Sequence, residues 1–233
     1  MTRDTRAPLP QGVGSQTLDR GLHTLEILAG AASPLSVIEI AERAGLHRSI
    51  TYRMVRTLEH RGFIVRGEDG RYVVGARLAV LARGVASTLR DVAAPRLVEL
   101  AERTGRTAFL VVPEGQLALT VHVEEPRTTM AHIAYRPGVQ HPITQGAPGL
   151  AILAGEEPQA GERPEITLAR GRGWAQSHGE VIPDYRSCAA PIHDGSGRCV
   201  GAIAIVFVGA APTPDLGEQV VAAARAVGSA LHG

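Results

Sequence analysis

Apolar residues recur at helical spacing between Ser15 and Gly30, where Leu18, Leu22, Leu25, Ile27 and Leu28 predict a first helix that the glycine ends. After a loop with Ser33 and Pro34, the stretch "SVIE" sets Ser36 and Glu39 three positions apart. At that spacing a serine N-cap and a glutamate each satisfy a backbone N–H left free at a helix start. Val37, Ile40, Ala41 and Ala44 supply this second helix with a buried face, and Gly45 stops it. A third helix is predicted from about Arg48, with Ile50, Met54, Val55 and Leu58 as its core stripe. The period then becomes alternating. "FIVRGEDGRYVVG" holds two short apolar runs around Asp69-Gly70, a strong hairpin-turn signal. Two helices joined by a tight glycine turn and followed by a hairpin predict a winged helix-turn-helix.

Further on, the pattern predicts a helix from about Pro95 to Thr104 and strand-like runs "TAFLVV", "LALTVHV" and "MAHIAY". A loop and the short helix "GAPGLAILAG" follow, then strands "CAAPIHD" and "CVGAIAIVFV" and a last helix from about Pro214 to Leu231. The expected organisation is α+β in two domains: a disordered tail over 1–14, a winged helix over 15–75, a link over 76–91 and a second domain over 92–233.

Charge gives the third helix a chemistry. The chain is nearly neutral, at +1, and all its cationic side chains apart from histidine are arginines. Residues 1–90 hold 13 Arg against 8 Asp and Glu, whereas 91–233 hold 11 against 15. A basic first third followed by an acidic remainder suits a polyanion-binding module joined to a part that does not touch the polyanion. At about 100° per residue, Arg48, Ser49, Tyr52, Arg53, Arg56 and His60 fall together, opposite the core stripe, and only Glu59 joins them. A solvated helix face would mix in more glutamate for i,i+4 pairing. Arginine, serine and tyrosine on one face suit the DNA major groove, where arginine grips guanine or phosphate and hydroxyls reach phosphate or base edges. Arg66 and Arg71 flank the hairpin turn and are placed to touch backbone phosphates.

These segments resemble the IclR family of bacterial transcriptional regulators. The resemblance rests on "SQTLDRGLHTLEIL", "EIAERAGLHRSITYRMVRTLEHRGFIVR" and "RYVVGARLAVLARG", the last leading into a helix that links the domains. It implies that Arg48, Ser49, Tyr52, Arg53 and Arg56 lie on a recognition helix, Arg53 matching a family arginine. It also implies that the second domain is GAF-like and binds an effector. Three departures stand out. The family's loop pattern, close to G-x-R-x-P-L-H-A-T-A-x-G-K-A, reads here "GVQHPITQGAPGLA": Gly138, Pro142, Ala147, Gly149 and Ala151 fit, while Gln140, Thr144, Gly146 and Leu150 do not. A later motif reads "GWAQSHGEVIPD", with Asp184 where glycine is usual. Only 17 residues separate Gly155 from Gly173, fewer than the family has there, which predicts an abbreviated pocket wall.

Carried over residue by residue, the resemblance implies an effector site at Ile143, Gly146, Ala147, Ser177, Ser187, Ala204 and Val206. Ala204 and Val206 stand where relatives that bind small carboxylates have serines, and neither can donate a hydrogen bond. The expected effector is therefore larger or more apolar than a small carboxylate, aromatic or acyl-like, or there is none. For Ala204 and Val206, on an apolar strand, plain core packing is an equal reading.

No GxSxG elbow, P-loop, HExxH or dinucleotide fingerprint occurs, so no enzyme is expected. His122, His132 and His141 are weak metal candidates, and nothing in the sequence orients His178, Glu180 and Cys188 as a hydrolytic trio. No cofactor or metal is expected. Cys188 and Cys199 have neither CxxC nor framework spacing and read as buried small hydrophobes. Without a signal-like start or a membrane-length apolar run, the expected location is the cytoplasm. The expected function is repression at a pseudo-palindromic operator by a homodimer joined through the first helix and the linker helix, with pairing into tetramers implied by the resemblance. The competing readings are a small-molecule sensor or enzyme with a vestigial helix-turn-helix, and sequence-independent nucleoid binding.

Overall fold

The computed structural model describes residues 14–82, 87–127 and 136–231. The chain divides into two compact units that meet in sequence between Ser87 and Thr88. The expected tail, the run "MAHIAY" and part of the expected linker helix lie outside the described residues.

The first unit runs α1 (Gln16–Ala29), α2 (Val37–Ala44), α3 (Arg48–His60), β1 (Ile64–Arg66), β2 (Tyr72–Val74) and α4 (Arg77–Ala82). Ser15 caps α1, and Ser36 and Glu39 form the reciprocal capping box of α2. Gly45 ends α2 in the left-handed region, φ 62°, where a side chain would be strained. β1 and β2 pair antiparallel from Ile64↔Val74 to Arg66↔Tyr72, the wing. The segment before α2 joins it: Leu35 and Tyr72 exchange backbone hydrogen bonds of 3.0 and 2.7 Å. Leu28, Leu35, Ile40, Val55, Ile64 and Tyr72 form the core.

Two apolar stripes sit differently from the expectation. On α1 the buried residues are Gly21, Thr24 and Leu28, while Leu18 is 63% and Leu22 51% exposed. Small residues let α1 approach α3 closely: a Cβ on Gly21 would lie 3.9 Å from Met54 Sδ, and the Thr24 hydroxyl is satisfied by Arg20 O at 2.8 Å. On α3 Thr51, not Ile50, completes the core with Met54 and Val55, and Ile50 is 40% exposed. Thr51 Oγ1 donates to His47 O at 3.3 Å, which lets a hydroxyl be buried where the pattern favours an aliphatic.

The second unit holds α5 (Ser87–Thr104), β3 (Thr107–Glu114), β4 (Leu117–Glu124), β5 (Gln140–Pro142), α6 (Gly146–Ala154), α7 (Pro164–Arg172), β6 (Ala175–His178), β7 (Arg186–His193), β8 (Cys199–Phe207) and α8 (Pro214–Ala230). The strands form one antiparallel sheet in the order β5-β4-β3-β8-β7-β6. α5 continues through Pro95 instead of starting there, so residues 87–91, expected in the linker helix, belong to it. A proline inside a helix removes one hydrogen bond and crowds the preceding turn. Packing of Leu89, Ala93, Leu97 and Leu100 on the sheet holds the helix together across it.

Alternation along the strands builds two cores. Leu110, Cys188, Ile203, Ile205 and Phe207 face α5 and α8. Phe109, Val111, Ala189, Ala202, Ala204 and Val206 face α6 and α7. The face toward α6 and α7 is lined by alanine at 189, 202 and 204 beside Phe109, Val111 and Val206.

Candidate nucleic-acid interface and ligand cavity

α3 places its cationic residues outward because Thr51, Met54 and Val55 fix its inner side. Arg48, Ser49, Tyr52, Arg53 and Arg56 are all exposed. Among the described residues Arg48, Arg53 and Arg56 have no carboxylate partner, and the Arg56 guanidinium lies 6.0 Å from the Tyr52 ring centre. A helix face of unpaired arginines has its charges free for an external polyanion. The His47 ring accepts the Ser49 backbone N–H at 3.4 Å and lies 2.8 Å from Ser49 Oγ, so the first turn is ordered before any ligand arrives.

The wing arginines differ. Arg66 lies 5.8 Å from the Tyr72 ring centre, with Nε 3.4 Å from Gly70 O. Arg71 is turned inward as a brace: Nη1 donates to Glu39 Oε2 at 2.8 Å and to Pro34 O at 3.0 Å. It therefore clips the wing to the capping box of α2. Sequence spacing could not show this, because the partners lie 32 and 37 positions away.

In the second unit a small cavity, open to solvent, lies between the sheet and the start of α6. Of the expected effector residues, Gly146, Ser177, Ser187 and Val206 line it. Ile143, Ala147 and Ala204 do not; they pack in the core around α6, where their size fits the close approach of helix and sheet. Phe109, His141, Glu180, Tyr185 and Arg186 also line it; the sequence offers His141 and Glu180 only as metal and hydrolytic candidates, and the other three for nothing. They come from β3, β5, β7 and the turn after β6, segments whose meeting depends on strand order. "GE" at Gly179-Glu180 is the only trace in the quoted motif.

The N-cap residue of α6, Gln145, makes no side-chain cap. Instead Gly146 N donates to Glu180 Oε2 at 2.8 Å and Ala147 N to Ser177 Oγ at 2.8 Å. Arg163, at the start of α7, holds Glu180 with two hydrogen bonds of 3.0 and 3.2 Å and also reaches Thr144 O. The shortened segment before Gly173 thus contains its own helix and this clamp. Burial alone would raise the Glu180 pKa, but the Arg163 and Gly146 donors outweigh it and hold the carboxyl below the usual range. Burial lowers the His141 pKa, which leaves the ring neutral at pH 7.

The imagined hydrolytic trio does not assemble. Cys188 lies on the opposite face of the sheet from the cavity, and burial pushes its thiol up to about 12. Among the described residues no group of three or more His, Cys, Asp or Glu side chains is placed to hold a metal, and His122 pairs with Glu124 at 2.8 Å; His132 lies outside the described residues. Among them also, no helix is long and apolar enough to cross a membrane.

Comparison with known proteins places these features. The model of the IclR helix-turn-helix domain matches residues 17–68. The chain is 30% identical over 214 residues to the glycerol operon regulatory protein of Streptomyces griseus, covering 82% of this chain and 84% of that one. It is 28% identical over 183 residues to the acetate operon repressor of Salmonella typhimurium, covering 76% and 65%. The fold matches that of an IclR homologue from Microbacterium hydrocarbonoxydans crystallised with 4-hydroxybenzoate, with a TM-score of 0.76 and 23% identity over 92% of this chain and 98% of that one. Family model, relative and fold agree: the chain belongs to the IclR family of DNA-binding transcriptional regulators, and its relatives are regulators rather than enzymes.

Proposed function

We propose that the protein is a repressor that binds a pseudo-palindromic operator as a homodimer and loosens or tightens its grip when a small molecule enters the cavity of the second unit. The observation that carries the reading is the exposed face of α3, where Arg48, Arg53 and Arg56 have no carboxylate partner among the described residues. In this reading residues 15–75 are the DNA-binding domain, 76–91 the link and 92–233 the effector domain, and the protein works in the cytoplasm. Arg48, Ser49, Tyr52, Arg53 and Arg56 enter the major groove, Arg66 meets phosphate, and Arg71 holds the wing in place. Exposed Leu18 and Leu22 on α1, with Val80 and Leu81 on α4, support pairing of two copies through these helices. The complex of the Microbacterium homologue with 4-hydroxybenzoate supports an aromatic effector for this chain. An effector acts only through its different affinity for DNA-competent and incompetent arrangements.

Gel shift on the DNA upstream of the protein's own gene tests the reading. Replacing Arg48 and Arg53 together by alanine lowers affinity by on the order of 100-fold, since each specific arginine contact contributes about 1–3 kcal/mol. Unchanged binding by the double variant refutes the role of α3, and equal affinity for competitor DNA at the same salt favours nucleoid-type binding.

A further inference from the structure

The start of a helix presents unpaired N–H groups and a partial positive charge, which ordinarily draw an anion. At α6 this end faces the cavity, yet the protein fills it from within. Gly146 N is taken by Glu180 and Ala147 N by Ser177. Glu180 is held in turn by two Arg163 hydrogen bonds, and Arg163 is itself committed to Glu165 and Thr144 O. A second carboxylate brought to this end would meet a like charge and amides already in use.

The same wall carries a ring nitrogen that no described residue satisfies. His141 is 3% exposed, lines the cavity, and its Nε2 is buried with no hydrogen-bond partner among the described residues. Its Nδ1 lies 3.0 Å from Pro142 O, the arrangement of an Nδ1–H donating to a carbonyl. In a neutral ring Nε2 then presents a lone pair, an acceptor that wants a donor. A buried group left in this state is costly, and a hydroxyl or N–H arriving with a ligand removes that cost. Around it Phe109, Tyr185, Ile182 and Val206 give an apolar surface. Arg163 balances the Glu180 charge, and the Arg186 guanidinium on the same wall donates through Nε to Gly209 O at 2.8 Å, so a cationic ligand finds no net negative site.

We infer that Glu180 is a built-in anion at the positive end of α6, so that the cavity selects an uncharged ligand carrying a hydrogen-bond donor, received by His141, on an apolar body. This rests on the reading of the second unit as an effector domain. It makes Glu180 the determinant of charge selectivity and His141 the determinant of the donor.

Three probes of similar body separate these roles in titration calorimetry on the full chain: p-cresol, which is neutral with a donor; 4-methylanisole, in which the donor is blocked; and 4-hydroxybenzoate, which adds a carboxylate. The native protein binds p-cresol roughly tenfold or more tighter than either of the others. Glu180→Gln keeps an acceptor for Gly146 N but removes the charge, and strengthens 4-hydroxybenzoate by about tenfold with p-cresol little changed. His141→Phe keeps the ring and brings p-cresol down to the level of 4-methylanisole. Equal binding of p-cresol and 4-hydroxybenzoate by the native protein, an unchanged ratio in Glu180→Gln, or no binding of p-cresol overturns the assignment. Gel shift of the same samples confirms that both variants are folded. It also keeps the outcomes apart: selectivity can fail while operator binding stands, and loss of operator binding by the native protein would instead sink the regulator reading.

Discussion

Asp184 sits in left-handed backbone at φ 66°, the one non-glycine residue to do so among those described, in the turn between β6 and β7 where the family motif has glycine. An L side chain there meets the following carbonyl, and aspartate bears this better than most residues but not freely. Asp184→Gly relieves the contact and adds chain entropy to the unfolded state, a net gain of about 0.5 kcal/mol. Urea denaturation would read it as a small rise in midpoint, and a fall would show that the aspartate side chain holds the turn. The departure was legible in the sequence as a mismatch, but its cost was not, because backbone angles follow from how Gly179 and Tyr185 are drawn together by their 2.8 Å hydrogen bond. The same limit applied to the cavity. Gly146, Ser177, Ser187 and Val206 were found through motif positions, whereas His141 escaped as a cavity residue because its importance lies in an unsatisfied nitrogen, which only packing reveals. Ile50 and Thr51 exchanged places for a related reason, since a threonine that bonds back to its own helix behaves as an apolar residue.

Elements with strong ends were legible, and those with weak periodicity were not. α2 announced itself through its capping box and Gly45, and the wing through Asp69-Gly70. α7 has only Ile166 and Ala169 buried, and β5 and β6 are edge strands of 3 and 4 residues, too short for alternation to register. The capping box also carries a prediction. Hydrogen bonds from Ser36, and then from Arg71, lower the Glu39 pKa to about 2 from its ordinary 4.5. A carboxyl whose folded pKa is depressed contributes stability that is complete above the unfolded pKa and disappears as pH falls through the folded one. Glu39→Gln therefore lowers the melting temperature of the full chain near neutrality. Its deficit against the native protein shrinks between pH 4.5 and 2, the window set by those two values. A deficit that stayed constant over that window would mean the carboxylate charge does not matter to the joint.

For the whole molecule, the two units divide the work: one presents cations, and the other encloses a chamber under a sheet. If two copies pair through α1, replacing Leu18 and Leu22 by glutamate puts like charges where apolar surfaces meet, and the chain becomes monomeric in light scattering. Because both leucines are exposed in the single chain, its melting should change by about 0.5 kcal/mol or less. Operator affinity falls steeply, since a monomer meets only one half-site. A variant that remained dimeric would move the interface elsewhere. The wing adds a consequence for how any such assembly meets a duplex. Its β2 is stitched to Leu35, and Arg71 clips it to Glu39 and Pro34 before DNA is present. A hairpin already fixed in this way has little disorder left to lose on association. The heat capacity change of operator binding should then track the surface buried, without the added signature of a segment folding onto the groove.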